Sequence, residues 1–221
     1  MPSVLEPTIP IDIGPRSQRR RIIEALIDSC AEKTYPATTI ADIVSRAAIS
    51  RTTFYKRFTD KRECFDVALE FCVEQLRAAV VDSYSGGDAP ADAVRKATAA
   101  MLDQMASRPG VAQLLLGEAA AVDPAVIERY RMILIPAIER LWTAAGEPQQ
   151  LHSDPRLAFG RAQVLVFDLV ATGRTGELPG LLPEIVYIAL LPFAGHEVAR
   201  EQARLAGPGT GSDDTRQRLD G

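Results

Sequence analysis

From Asp60 to Tyr84 the chain holds one pattern for about six turns: Phe65, Ala68, Leu69, Cys72, Val73, Leu76, Ala79, Val80 and Tyr84 fall three or four residues apart. At about 3.6 residues per turn those intervals return each side chain to one face of an α-helix, and no other regular structure shares them. Asp60 stands where a cap belongs and "SGGDAP" supplies the stop. The same period runs through Ile22, Ile23, Leu26, Ile27 and Cys30, predicting a helix from near Arg16 to Lys33. It returns in Ile40, Ile43, Val44 and Ala47 behind the cap residue Thr39. Further helices are predicted at roughly 91–107, 110–121, 124–145, 155–173 and 183–204, parted by "SRPG", "VDP", "GEPQQLHSDP" and "GRTGELPG". Pro136, inside the third of these, should kink it by removing a backbone donor. No stretch alternates with the two-residue period of a strand and no internal repeat occurs, so the fold class is all-α.

Residues 1–15 show no sustained period around their prolines and glycine and predict a flexible arm; residues 205–221, polar and glycine-rich, predict a disordered tail. At 47% apolar composition the rest can fill a sizeable core. No window approaches the run of about 18 uncharged apolar residues that spans a membrane, and the start lacks the basic-then-apolar order of a secretory signal, so a cytoplasmic location is expected. Cys30, Cys64 and Cys72 lie on apolar stripes without C-x-x-C spacing and read as reduced core residues. The net charge of −4 hides an asymmetry. Residues 1–62 carry 11 Lys/Arg against 7 Asp/Glu, whereas residues 63–221 carry 14 against 22: a basic head precedes an acidic body.

Within the head, "ISRTTFYKRF" is a poor helix by propensity, with two threonines and two aromatics in five residues. Ser50 is a good cap for it, and Phe54 and Phe58, four apart, share an inward face. Left outward are Arg51, Thr52, Thr53, Tyr55, Lys56 and Arg57, all basic, hydroxylated or aromatic. Three short helices with a tight turn at "RAAIS" fit a helix-turn-helix, whose last helix enters the DNA major groove. Arginine forks onto guanine, and threonine and tyrosine hydroxyls suit phosphates and base edges. Helix starts at Thr39 and Ser50 offer backbone donors to phosphates, and Lys61 adds a charge.

"TTIADIVSRAAISRTTFYKRFTDKRECF", residues 38–65, with the lead-in "RRRIIEALIDSCAEKTYPATT", resembles the DNA-binding signature of TetR-type transcriptional regulators. The resemblance covers about 50 of 221 residues. It implies a three-helix DNA-binding domain over 16–61 and a helical ligand-binding and dimerisation domain over 62–204. It places Arg51, Thr52, Thr53 and Tyr55 in the recognition helix, with Thr39, Ser50, Arg57 and Lys61 near phosphates. It also implies double-stranded operator DNA as partner, a small-molecule effector, a homodimer, and most often repression relieved by the effector. Where the family usually has glycine in the turn this chain has Ala48, which should pay in strain for a left-handed backbone.

Large or adaptable side chains on the central helices nominate Met101, Met105, Tyr130, Leu134, Trp142, Phe159 and Phe167 as pocket liners, with Asp103, Glu118 and Asp168 as acids that would select a cation. The segments 157–171 and "EIVYIALLPFAG" are apolar around most of their circumference, which predicts that each buries a second face against another copy of the chain in a two-fold four-helix interface. His152 and His196 stand without metal spacing, phosphate loop or nucleophile motif, so neither catalysis, cofactor nor metal is expected. The remaining alternative is an architectural or constitutive DNA-binding protein without an effector.

Overall fold

A computed structural model of the chain describes residues 17–123, 125–144 and 151–207, so the predicted arm at 1–15 and the tail beyond 207 lie outside the described residues. The described residues are helical with no strand: α1 (Gln18–Lys33), α2 (Ile40–Arg46), α3 (Arg51–Tyr55), α4 (Lys61–Asp82), α5 (Pro90–Ser107), α6 (Pro109–Ala112), a π-helical segment (Gln113–Glu118), α7 (Ala119–Val122), α8 (Ala125–Ala144), α9 (Pro155–Ala171), a 3-10 segment (Thr175–Leu181) and α10 (Leu182–Ala206).

Side chains cap the early helices. Ser17 Oγ accepts the Arg20 N–H at 3.2 Å, and Asp60 takes the Glu63 N–H at 2.8 Å at the start of α4. Ile22, Ile23, Leu26, Ile27 and Cys30 of α1 are buried with Ile43, Phe54, Phe58, Phe65, Ala68 and Cys72. This first core is closed from outside the head, because Val111, Leu114 and Leu115 belong to it as well. The cysteines are free, and burial pushes the thiols up, to about 11 for Cys30 and about 12 for Cys72, so they stay protonated packing groups. In α4 the predicted stripe weakens along its length: Leu69, Val73 and Leu76 are half-buried, and Tyr84 lies past the end at Asp82.

Three expectations are corrected in the body. The single helix expected over 110–121 is interrupted by the π-helical segment. Gly117 lies within it, where a Cβ would meet the far end of the flexible Gln113 side chain at 2.7 Å. The linker "GRTGELPG" holds a 3-10 helix whose Leu178 is fully buried. The last helix runs to Ala206, past the predicted end, but is broken within by Gly195 at φ 73°, a left-handed conformation that glycine adopts without strain. Pro192 precedes that break, and its carbonyl accepts the His152 N–H at 2.8 Å. Pro136 lies within α8, which continues on both sides of it.

Two body cores flank α5. One joins Leu102 and Met105 to Val166, Leu169, Val170, Leu178 and Ile185; the other joins Ala91 and Val94 to Trp142, Val186, Leu190 and Phe193. The stretch Thr175–Ala206 is, by length and composition, apolar enough to cross a membrane, contrary to the expectation that no window comes near. In the fold its α10 packs along α5 and α9, with Arg95 Nε donating to Gln202 at 2.8 Å.

Candidate nucleic-acid interface

The helix-turn-helix is built from two capped helices and a strained turn. At α2 the Thr39 hydroxyl accepts the Asp42 N–H at 3.2 Å and the Asp42 carboxylate accepts the Thr39 N–H at 2.9 Å, a reciprocal capping box. Lys33 Nζ joins Asp42 at 2.7 Å and, with the Thr39 donors, holds that carboxyl well below the usual range. At α3, Ser50 Oγ accepts the Thr53 N–H at 3.1 Å and lies 3.0 Å from the Thr53 hydroxyl. Between the two helices Ala48 takes φ 50°. The Arg21 guanidinium gathers the Ala47 and Ala48 carbonyls, the latter at 3.3 Å, so a cation from α1 holds closed a turn that alanine resists.

Helix α3 is shorter than the stretch predicted for it. It ends at Tyr55, with Lys56 as C-cap and Arg57 beyond, because the Arg57 N–H turns back to the Phe54 carbonyl at 2.8 Å. Phe54 and Phe58 are buried with ring centroids 5.7 Å apart, which anchors the short helix from below. Arg51, Thr52, Tyr55, Lys56 and Arg57 are exposed, Tyr55 by 56%, and Thr53 is half-buried.

Charge pairing sorts the cations of the head into two groups. Arg20 pairs with Glu24, Lys33 with Asp42, Arg46 with Glu32, and Arg62 with Asp66. Among the described residues Arg51 and Lys56 meet no acid. Arg57 reaches only the Gln18 side chain at 3.5 Å, and Arg19 lies over the Phe58 ring at 4.7 Å. The unneutralised charge therefore collects on α3, the turn after it and the start of α1.

Lys61, expected near phosphates, is engaged elsewhere. Its ammonium donates to the Tyr35 carbonyl at 2.9 Å and the Thr38 carbonyl at 2.8 Å and sits 4.3 Å from the Tyr35 ring centroid. Sequence reasoning missed Gln18, Arg19 and Arg21, for which the run "RRR" was the available signal, and the part played by Glu118. That acid is buried, and its Oε2 accepts the Tyr35 N–H at 2.8 Å.

The nominated pocket liners do not converge. Met105 is buried and Met101 half-buried in one body core, while Trp142 is buried in the other with its ring 5.8 Å from Phe193. Tyr130 packs beside the head core and donates its hydroxyl to the Leu115 carbonyl at 3.3 Å. Phe159 is half-buried, and Leu134 and Phe167 are exposed. Asp103 and Asp168 face solvent, and the described residues hold no cluster of metal-ligating side chains.

Capped helices, an arginine-held turn and an unpaired basic face define a helix-turn-helix head on an all-helical body. Residues 22–68 match the model of the bacterial regulatory proteins of the tetR family. No curated protein sequence matches the chain. In structure it is similar to the transcriptional regulator FadR of Bacillus subtilis, solved with stearoyl-CoA, at 17% identity and TM-score 0.63 over 80% of this chain and 98% of that one. It is similar to the fatty acid degradation regulator FadR of Bacillus halodurans at 16% identity and TM-score 0.59, over 78% and 94%. A gamma-butyrolactone receptor, an ArpA-like protein, follows at 20% identity and TM-score 0.59, over 86% and 96%. These likenesses establish the fold, and the family match assigns the head, residues 22–68, to the DNA-binding domain of the tetR family.

Proposed function

We infer that the protein is a cytoplasmic, non-enzymatic repressor that binds a pseudo-palindromic operator as a homodimer and leaves it when a small, largely apolar molecule occupies the body. The observation that carries the reading is the charge sorting on the head. Most of its cations are paired with acids or tied to backbone carbonyls, and those that are not lie with Thr52 and Tyr55 around α3, the helix a helix-turn-helix inserts into the major groove. Arg51, Thr52, Thr53 and Tyr55 are assigned to base edges and sugar–phosphate, and Lys56, Arg57 and the helix starts at Thr39 and Ser50 to phosphates. Lys61 is reassigned to holding the turn before α2.

Exposed apolar residues support the dimer. Leu157, Val164 and Phe167 line the outer side of α9, and Val198 and Leu205 that of α10; Leu157 and Val164 are each 67% exposed. A second copy laid against these helices removes them from water and fixes two heads about 34–36 Å apart, one helical turn of DNA. The stearoyl-CoA of one structural relative and the lactone in the name of another support an effector that joins an apolar part to a polar one.

The test is fluorescence anisotropy on a duplex from upstream of the protein's own gene, followed by addition of stearoyl-CoA or a gamma-butyrolactone. Trp142, the single tryptophan, is buried against Phe193 and reports on the body. Release of DNA with a change in Trp142 emission supports the reading. Failure to bind the duplex at moderate salt overturns it, and DNA binding indifferent to a broad set of compounds assigns a constitutive binder.

A further inference from the structure

Glu118 differs from the other acids of the described chain: it is buried, forms no ion pair among the described residues, and its carboxylate accepts a backbone N–H from a residue 83 positions earlier. That donor, Tyr35, lies in the turn between α1 and the Thr39 cap of α2, and the same turn is gripped from its other side by Lys61 through the Tyr35 and Thr38 carbonyls. The peptide leading into the helix-turn-helix is thus held at its N–H by the body and at its carbonyls by the first residue of α4. Glu118 is itself the last residue of the π-helical segment, which the Tyr130 hydroxyl of α8 ties at the Leu115 carbonyl. Val111, Leu114 and Leu115 of this region belong to the head core, Ala112 belongs to a body core, and Leu116 packs against both. A buried carboxylate that loses a hydrogen bond is costly, so the segment and the turn move together.

We propose that Glu118 is the body's hold on the DNA-binding head: a positioning residue that sets the attitude of α2 and α3 through the Tyr35 N–H, with the π-helical segment as the element that changes state. The proposal rests on the reading that the head binds DNA. A π-helical turn holds one residue more than an α-helical one. Relaxing it would rotate the positions that follow by about 100° and shift them by about 1.5 Å along the axis, which parts Glu118 from Tyr35. A body ligand favouring one geometry then changes DNA affinity by the factor by which DNA changes its own.

The test uses full-length E118A and E118Q with two readouts, hydrogen exchange over residues 34–47 without DNA and anisotropy on the upstream duplex. E118A is expected to speed exchange over 34–47 by about tenfold or more while α9 and α10 keep their protection, and to weaken DNA binding by about tenfold. E118Q keeps an amide oxygen for the Tyr35 N–H and should retain most of both. Protection and affinity within about twofold of the parent in E118A overturn the proposal, as does a uniform rise in exchange across the chain. Should E118A not fold, Tyr130→Phe frees the Leu115 carbonyl with Glu118 in place: faster exchange confined to 34–47 supports the hold, and unchanged protection overturns it. A parent protein that binds no DNA removes the functional reading yet leaves the exchange comparison standing, so the two failures are separable.

Discussion

The outer surfaces of α3 and α9 are unfinished in opposite ways. Around α3 the chain leaves cations without acids on a helix whose Phe54 is turned inward, while along α9 it leaves Leu157, Val164 and Phe167 in water beside a well-filled core. Each surface describes its partner by what it lacks. Unneutralised guanidinium and ammonium groups with hydroxyls between them suit a polyanion. Apolar rows suit another apolar surface, and the same rows on a second copy are one. The difference also sets the sensitivity to salt: contacts at α3 should weaken steeply with ionic strength, whereas association through α9 should persist or strengthen.

The largest expected effect breaks the apolar side. Val164→Arg with Phe167→Arg should yield a monomer by sedimentation at micromolar concentration and reduce operator binding by about a hundredfold or more, since two linked half-sites become independent. A doubly substituted protein that sediments as a dimer removes α9 from the interface. On the polar side, Arg51→Ala should cost about 1–3 kcal/mol on operator and relax the preference at one position per half-site. Equal loss on random DNA would make Arg51 a phosphate contact. Lys61→Met sharpens the division between free and engaged cations. It should lower unfolding stability by about 1–3 kcal/mol while leaving the salt slope of DNA binding unchanged, and a slope reduced by about one would return Lys61 to the phosphates. The smallest effect falls on the turn: Ala48→Gly should raise stability by about 1 kcal/mol in thermal melts, because glycine takes the φ of 50° without a Cβ penalty. A destabilised variant would show that Ala48 is not strained there.

Much of the head was legible in advance because its signals are local. Thr39, Ser50 and Asp60 announce helix starts through side chains that cap donors three residues on, and the spacing of Phe54 and Phe58 places them on the buried side whatever surrounds them. Ala48 was readable for the same reason, since the demand for a left-handed residue belongs to the turn. The partners of Lys61 escape the sequence because they are the carbonyls of Tyr35 and Thr38, 26 and 23 residues away along the chain, which periodicity does not register. The pocket liners failed to converge for a related reason: bulk and flexibility mark Met105 and Trp142 as residues that fill space, but not which of two cores they fill.

By itself the sequence determined the helices, most of their caps and stops, and the inward and outward faces of α1 to α3, since hydrogen bonding within a turn and a 3.6-residue period are short-range properties of the chain. Only the tertiary structure decided which cations remain unpaired, that the head core is completed by Val111, Leu114 and Leu115, that a π-helical segment interrupts the middle of the body, and that a buried Glu118 meets the N–H of Tyr35. Those outcomes depend on which surfaces close on one another, and a carboxylate is drawn out of water to a backbone donor only when packing brings the two together.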